Sequence, residues 1–354
     1  VSARRSSIVL ITLAVVLVAV ATVVRFVLAP NATKLPDDTD QTVHYAGEAM
    51  MLDSKALQAG DTAHAFKSDI PITVDRRVQV TSTHGDTAVL KDATTIHLGK
   101  QSLPSAKTYA LDRDSRRGTS PPASKSVEPS HGALSSAFPP DAAQDNSYRY
   151  YDSTTRSIVP VRYTGTAKRE GRAVNVYDIT VSAPVKDPAV LAPLPPALPK
   201  KLVAKLRPEL DSTARARLTP AALSALPDPV PITYQGRSTL VAYIDQQTGI
   251  AIDQTVSRTV VASTTVGDEP TSLMPVSSFT FGVTPASMRE LGDKAGSAGL
   301  LLTLLTDVTP LVLIAVAAAL LLIYFLRRRK HRPGAPASRE PAPATSAPGT
   351  GTTG

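Results

Sequence analysis

Three short stretches put an acid where the chain reverses. Tyr151-Asp152-Ser153-Thr154-Thr155-Arg156 and Ile244-Asp245-Gln246-Gln247-Thr248-Gly249 each lead from an aromatic-rich strand through an Asp, two polar residues and a Thr into a return strand. Leu111-Asp112-Arg113-Asp114-Ser115-Arg116 is a looser third copy. A carboxylate so placed accepts backbone N–H bonds two residues on, and Gly249 supplies a positive φ, so Asp152, Asp245 and Gly249 read as turn formers. The alternative chemistry, a cation held by Asp112 and Asp114, fails on charge. No EF-hand-like series of acids follows them, and Arg113, Arg116 and Arg117 would repel the ion.

Other reactive side chains are scattered. His44, His64, His84, His97 and His131 show no i, i+2 or i, i+4 spacing, so no metal pair is written locally. Ser82, His84 and Asp86 are the right types for a nucleophilic triad, but neighbours in a tight turn point apart. His84 in its turn and His97 in a strand could each meet a carboxylate in three dimensions. Walker A, G-x-G-x-x-G, G-x-S-x-G and H-E-x-x-H motifs are all missing from the chain. With no cysteine anywhere, thiol catalysis, cysteine-held zinc, iron–sulfur clusters and disulfide staples are excluded. The expectation is a non-enzyme without catalytic residues, cofactor or metal.

The elements around these residues begin with two apolar stretches, Ile8–Val24 and Leu311–Leu326. Arg4 and Arg5 precede the first; Arg327, Arg328, Arg329 and Lys330 follow the second, and these residues determine the topology. The ends carry the whole net charge of +8: three arginines before residue 30, then six basic groups against Glu340 after residue 326. Between them basic and acidic groups balance, so the sequence pI of 9.6 is no nucleic-acid footprint. Positive flanks at both outer ends place both termini in the cytoplasm. Residues 8–28 reach about 31 Å as a helix, enough for a hydrocarbon core of about 30 Å. Arg25 snorkels at the outer boundary of that helix. Ala19-Val20-Ala21 also fits a signal-peptide cleavage site, but the apolar run continues beyond it and favours an uncleaved anchor. The second span starts at Val308, with Pro310 tolerable in its first turn. Leu300–Leu305 either lies along the interface or extends that helix.

The predicted organisation is a cytoplasmic N-terminus (1–7), a first transmembrane helix (8–28), an extracytoplasmic β-rich domain (30–307), a second transmembrane helix (308–326), and a basic, then disordered, cytoplasmic tail (327–354). Alternating Val, Thr, Ile and Tyr predict strands at Ile72–Thr81, Thr87–Leu90, Thr94–Leu98 and Tyr148–Tyr151. They predict more at Val159–Ala167, Ala173–Ser182, Ile232–Tyr234, Thr239–Ile244, Ile250–Ser257 and Thr259–Val266. Residues 184–231 hold 11 of the 30 prolines and read as a Pro-rich, partly helical insert. In it Leu202, Leu206 and Leu210 share a helical face interrupted by Pro208. That face either crosses a sheet edge or touches the membrane through Lys200, Lys201, Lys205 and Arg207. Thr119–Asp145 reads as a poorly ordered loop. The fold class is membrane-anchored and mainly β (α+β): a large antiparallel extracytoplasmic sheet domain between two transmembrane helices.

Several short motifs, in this order, resemble the actinobacterial porin PorA family of double-anchored envelope proteins, also grouped as a domain of unknown function. They are Arg25-Phe26 with Leu28-Ala29-Pro30, Lys34-Leu35-Pro36, Leu111-Asp112-Arg113, Ala137-Phe138-Pro139, Tyr148-Arg149-Tyr150-Tyr151-Asp152, Val176-Tyr177, Tyr243-Ile244-Asp245 with Thr248-Gly249, and the terminal helix with its arginines. The loop after Arg117 and the few aromatics before Tyr148 depart from the family pattern. The resemblance implies a plasma-membrane protein of the cell envelope and supplies no catalytic residues to carry over. A pore needs an apolar outer β band or a polar stripe lining helices. The charged strands and the two apolar helices offer neither, and Ala315, Ala317, Ala318 and Ala319 suit helix–helix packing instead. The expected function is non-enzymatic display of the β domain for a partner protein or cell-wall component. The partners are the lipid bilayer and an unknown envelope protein, lipid or wall component, with no nucleic acid. Lipid or lipoprotein transfer and pore formation are the alternatives.

Overall fold

The computed structural model describes residues 2–53, 56, 61, 64–122 and 126–330, with backbone alone at 2–7, 209 and 328–330. The tail expected to be disordered lies outside the described residues, as do the side chains of Arg4, Arg5, Arg328, Arg329 and Lys330. The chain divides into two compact units, one of residues 1–28 with 305–354 and one of residues 29–304.

In the first unit, α1 (Ser2–Val23) ends in a π turn (Val24–Leu28), after which the chain continues as α2 (Ala29–Thr33), and α8 (Thr309–Lys330) follows another π turn (Leu304–Val308). The helical runs Ile8–Thr33 and Pro285–Arg327 are long and apolar enough to cross a membrane, and only 17% and 11% of their apolar windows are buried. A soluble core helix would be mostly covered, so this exposure is compatible with helices that cross a membrane. Ala14, Ala21 and Ala317 are buried where α1 and α8 pack. Of the four alanines expected at that seam only Ala317 is buried. Arg25 Nη1 donates to Thr306 O at 3.1 Å. A π turn leaves carbonyls out of the ordinary helical ladder, and this guanidinium satisfies one of them.

In the second unit, ten strands among the described residues form one antiparallel sheet, ordered β4-β3-β2-β1-β12-β11-β10-β7-β6-β5. They are β1 (Asp40–Leu52), β2 (Phe66–His84), β3 (Thr87–Leu98), β4 (Gln101–Asp112), β5 (Arg149–Asp152), β6 (Ser157–Arg169), β7 (Arg172–Pro184), β10 (Thr233–Asp245), β11 (Ala251–Val266) and β12 (Glu269–Val283). Register shifts at Ala49/Met51, Val80/Ser82, Tyr163/Gly165 and Val260/Val261 bend the strands. Each such bulge adds local twist, which is how a long sheet curls into an incomplete barrel. Three strands exceed the sequence reading. In β1, Gly47 interrupts the apolar pattern. β4 is a polar edge strand, where Pro104 needs no ladder partner. β12 holds Pro275 at its register shift against Val261, where a missing N–H is harmless.

The barrel seam is closed by a segment expected to be poorly ordered. Gly118 N donates to Ala133 O, Thr119 N to Ala110 O of β4, Glu128 N to Thr108 O, and Tyr151 N of β5 to Leu134 O. Leu134, Phe138 and Ala142 of the same segment are buried against Tyr148, Val161, Tyr177 and Ile244. Composition suggested disorder; burial of these few apolar anchors and the bonds to both sheet edges give the segment a set path.

Both barrel ends are covered. The insert forms β8 (Ala197–Leu198), which pairs with β9 (Val230–Pro231), and four short helices, α3 (Pro188–Leu191), α4 (Lys200–Leu206), α5 (Ser212–Arg217) and α6 (Pro220–Ala225). Val203, Leu206, Leu210 and Leu218 are buried with Ile232, Tyr234, Leu273 and Met274. The leucine face therefore packs on the sheet, and Lys200 and Arg207 donate to carbonyls of Ser224 and Leu218. At the other end, Met288 and Leu291 of α7 (Pro285–Thr303) join Tyr45, Val256 and Phe281, while Ala295 joins Val174 and Ile252. Leu300–Thr303 continue α7, so the apolar stretch before the second span extends the helix.

Candidate functional site

Along each strand, alternate residues face the barrel interior. Val74, Arg76 and Val78 share that face of β2, as do Leu90, Asp92 and Thr94 of β3 and Gln254, Val256 and Arg258 of β11. Between the two covered ends Val74, Arg76, Asp92, Thr94, Gln254, Val256 and Arg258 line a partly open chamber of about 170 Å³. Its walls mix apolar side chains (Val74, Ile96, Leu240, Phe281) with Arg76, Asp92, Lys107, Tyr150, Asp152, Gln254 and Arg258.

The interior charges are mostly paired. Arg76 grips Asp92 with two bonds, Nε to Oδ1 at 3.0 Å and Nη2 to Oδ2 at 2.6 Å, and Ser136 Oγ donates to Asp92 Oδ2 at 2.7 Å. Burial works against both charges, yet their mutual attraction and bonding outweigh it. The Arg76 pKa stands well above its usual value and the Asp92 carboxyl stays below the ordinary range. Lys107 pairs with Asp187 at 2.9 Å. Burial raises the Tyr45 and Tyr150 hydroxyl pKa values, so both remain neutral donors. Tyr45 Oη spends its proton on Gln254 Oε1 at 2.9 Å.

The three acid turns prove to be one device in three surroundings. Asp112 Oδ1 accepts Ser115 N and Oγ, Asp152 Oδ2 accepts Thr155 N and Oγ1, and Asp245 Oδ1 accepts Thr248 N and Oγ1. The acceptor reaches three residues on, one further than expected, because the hydroxyl is captured together with its own N–H. Only Asp245 adds an ion pair, with Arg172 Nε at 2.8 Å. Gly249 has φ 73°, and a Cβ there would meet Phe138 O at 2.6 Å. In the same turn Gln247 Nε2 donates to Gly299 O and Thr303 Oγ1, tying the β10–β11 hairpin to α7. Arg327 is exposed on α8. Among the predicted turn and topology residues whose side chains are described, Asp152 reaches the chamber wall, and Asp245, Gly249 and Arg327 do not line it.

Ser82, His84 and Asp86 do point apart: Ser82 Oγ is buried, His84 is exposed and Asp86 holds Lys34. A different chain of the same types forms on the outer face. Ser102 Oγ lies 3.0 Å from His97 Nδ1, and His97 Nε2 lies 3.1 Å from Asp75 Oδ2. Asp75 Oδ1 also meets His44 Nδ1 at 2.6 Å. His44, Asp75 and His97 are 58%, 45% and 37% exposed, so bulk water screens them, unlike the dry, preorganised sites that stabilise a charged transition state. Among the described residues no group of His, Asp or Glu is arranged to hold a metal.

The outer face as a whole is hydrophilic. Thr42, His44 and Glu48 of β1, Thr73 and Arg77 of β2, and Thr255 of β11 stand exposed on it. A family model described as porin PorA matches residues 6–326. The chain belongs to the porin PorA family. Among curated proteins none matches the sequence. Solved structures with partial similarity to this PorA-family chain include a MaoC-like dehydratase from Phytophthora capsici (8% identity over 68% of this chain and 71% of that one, TM-score 0.13). Others are an acyl-CoA hydrolase from Agrobacterium tumefaciens (7%, 71% and 98%, TM-score 0.15) and an acyl-CoA thioesterase II from Mycobacterium marinum (12%, 69% and 80%, TM-score 0.13). Scores this low carry neither fold nor chemistry over to the PorA-family barrel.

The sequence reading missed the chamber residues of this PorA-family chain, although one signal for them was present. Arg76 falls on the parity of Ile72, Val74 and Val80, and Arg258 on that of Ile252 and Val256. A charge on an otherwise apolar face marks a polar interior.

Proposed function

We propose that this chain is a non-enzymatic, double-pass membrane protein that holds a water-facing β domain beside the bilayer to bind an envelope partner or wall component. The hydrophilic outer face of the sheet carries this reading. A barrel that crosses a membrane needs an apolar outer band about 25 Å tall, and threonines, acids and arginines occupy that surface here. The two apolar helices then serve as anchors, with both termini cytoplasmic and the domain on the other side. A mixed polar and apolar chamber of about 170 Å³ is close to the ~150 Å³ cavity that takes a benzene. That is too little to shelter an acyl chain, which weighs against lipid transfer within the barrel.

The absence of cysteine makes topology directly measurable. A single Lys100→Cys, at the exposed β3–β4 turn, should react with a membrane-impermeant maleimide in intact cells. Thr352→Cys should react only after lysis. The opposite pattern would overturn the orientation. Steady single-channel conductance from purified protein in planar bilayers would overturn the anchor reading in favour of a pore.

A further inference from the structure

We infer that the chamber is an anion-binding site in which Arg258 receives a phosphate or carboxylate group. The inference deepens the reading of the domain as a binding module by naming the chemistry of its ligand. Arg258 lies on the inner face of β11, opposite Ser238 of β10 and Phe279 of β12. It lines the chamber yet is exposed, so it stands where the chamber opens to solvent. The chamber's other two cations are taken, Arg76 by Asp92 and Lys107 by Asp187. Arg258 makes no hydrogen bond or ion pair among the described residues. Of the lining acids, Asp92 is spent on Arg76 and Ser136. Asp152 is 3% exposed and committed to Thr155, so Arg258 presents the accessible charge.

A second observation points to the same occupant. Ser135 lines the chamber, is 8% exposed, and its buried Oγ has no hydrogen-bond partner. An unsatisfied buried hydroxyl is unfavourable, and a ligand acceptor would relieve it. Gln254 has its carbonyl oxygen occupied by Tyr45, which leaves its NH₂ to donate. Tyr150 adds a neutral hydroxyl to the wall. A guanidinium fork with hydroxyl and amide donors matches the oxygens of a phosphate or carboxylate. The apolar wall of Ile96, Leu240 and Phe281 suits the adjoining part of the ligand, and the volume limits that part to a headgroup or ring.

The test uses the full chain in a zwitterionic detergent, titrated calorimetrically with inorganic phosphate, dihexanoyl phosphatidylglycerol or dihexanoyl phosphatidylcholine. Saturable binding is expected for at least one of the two anionic probes and not for the choline lipid. Binding of inorganic phosphate would make the free anion sufficient; binding of the glycerol lipid alone would assign a lipid headgroup. Arg258→Gln should weaken binding at least tenfold with an unchanged melting temperature, and Ser135→Ala about threefold. Arg258→Lys, which keeps the charge and loses the fork, should fall between wild type and Arg258→Gln. Arg162→Gln on the outer face should change nothing. No saturable binding of either anionic probe, or undiminished affinity in both Arg258 variants, would overturn the site. Conductance and labelling results bear on anchoring alone, so the two readings can fail separately.

Discussion

Replacing Asp245 by Ala should be the costliest of three matched substitutions, because the same turn occurs with and without a buried ion pair. Asp245 accepts Thr248 N at 2.9 Å and Thr248 Oγ1 at 2.8 Å, then Arg172 Nε at 2.8 Å and Nη2 at 3.1 Å, with its side chain 1% exposed. Breaking a buried pair typically costs about 3–5 kcal/mol. Arg172 keeps 27% exposure and can partly rehydrate, so the lower end applies, about 3 kcal/mol. Asp152 has the two turn bonds and no bonded cation; its loss leaves the buried Thr155 N–H without a partner while Thr155 Oγ1 keeps Ser157 Oγ at 2.7 Å, for about 2 kcal/mol. Asp112 is half-buried, and water can replace it on Ser115, for about 1 kcal/mol or less. Unfolding of the full chain in detergent, followed by the far-ultraviolet strand signal, reads the order Asp245→Ala, Asp152→Ala, Asp112→Ala. At roughly 2–4 °C per kcal/mol for a unit of this size, Asp245→Ala should lower Tm on the order of 6–12 °C. Gln247 holds Gly299 and Thr303 from the same turn, so amide exchange at the end of α7 should rise with it. If Asp112→Ala costs as much as Asp245→Ala, or if the Asp245 change stays within ~0.5 kcal/mol, the assignment of stability to the buried pair is wrong.

Three further outcomes follow from the same geometry. Arg76→Met and Asp92→Leu should each destabilise by about 2–4 kcal/mol, whereas the double variant should cost clearly less than their sum; an additive cycle would remove the pair's coupling. The Asp92 carboxyl lies below its ordinary range in the fold, where burial opposes ionisation but Arg76 prevails, so its contribution is complete above pH ~4 and lost as pH falls through that region. Wild-type Tm should therefore drop as pH falls below ~4, more steeply than that of the double variant; equal slopes would refute the linkage. Gly249→Ala must bear a positive φ and a backbone oxygen 2.6 Å from the new methyl, so at least ~2 kcal/mol is expected in chemical denaturation. Gly267→Ala, with φ 63° and open space, should cost only about 1 kcal/mol, and equal losses would mean that crowding by the backbone of Phe138 and Pro139 is irrelevant.

Much of the β domain was legible where strands alternate cleanly, as in Ile72–Thr81. There Ile72, Val74 and Val80 are buried and Thr73, Asp75, Arg77 and Gln79 on the other face are polar, so the period alone reports the face. β4 and β12 escaped because their prolines are harmless only in context, at a sheet edge and at a register shift. The leucines at 206 and 210 showed a helical face, but whether it met lipid or sheet depended on what lay opposite. In the site, the Asp-x-x-Thr turns were legible because their bonds are local. Arg172 on Asp245 was not, because the two lie 73 positions apart.

The amino-acid sequence by itself determined the two apolar spans with their basic flanks, the cysteine-free chemistry, the balanced charge between the spans and the acid turns. Each depends on composition or on residues within one turn of each other. Tertiary structure alone decided that the Thr119–Asp145 segment closes the barrel, that the insert caps one end and α7 the other, and that Arg258, Gln254, Tyr150 and Ser135 line one chamber. Those outcomes turn on which strands pair and how far bulges curl the sheet. Such long-range pairings are selected by burial of the whole domain rather than by any local pattern.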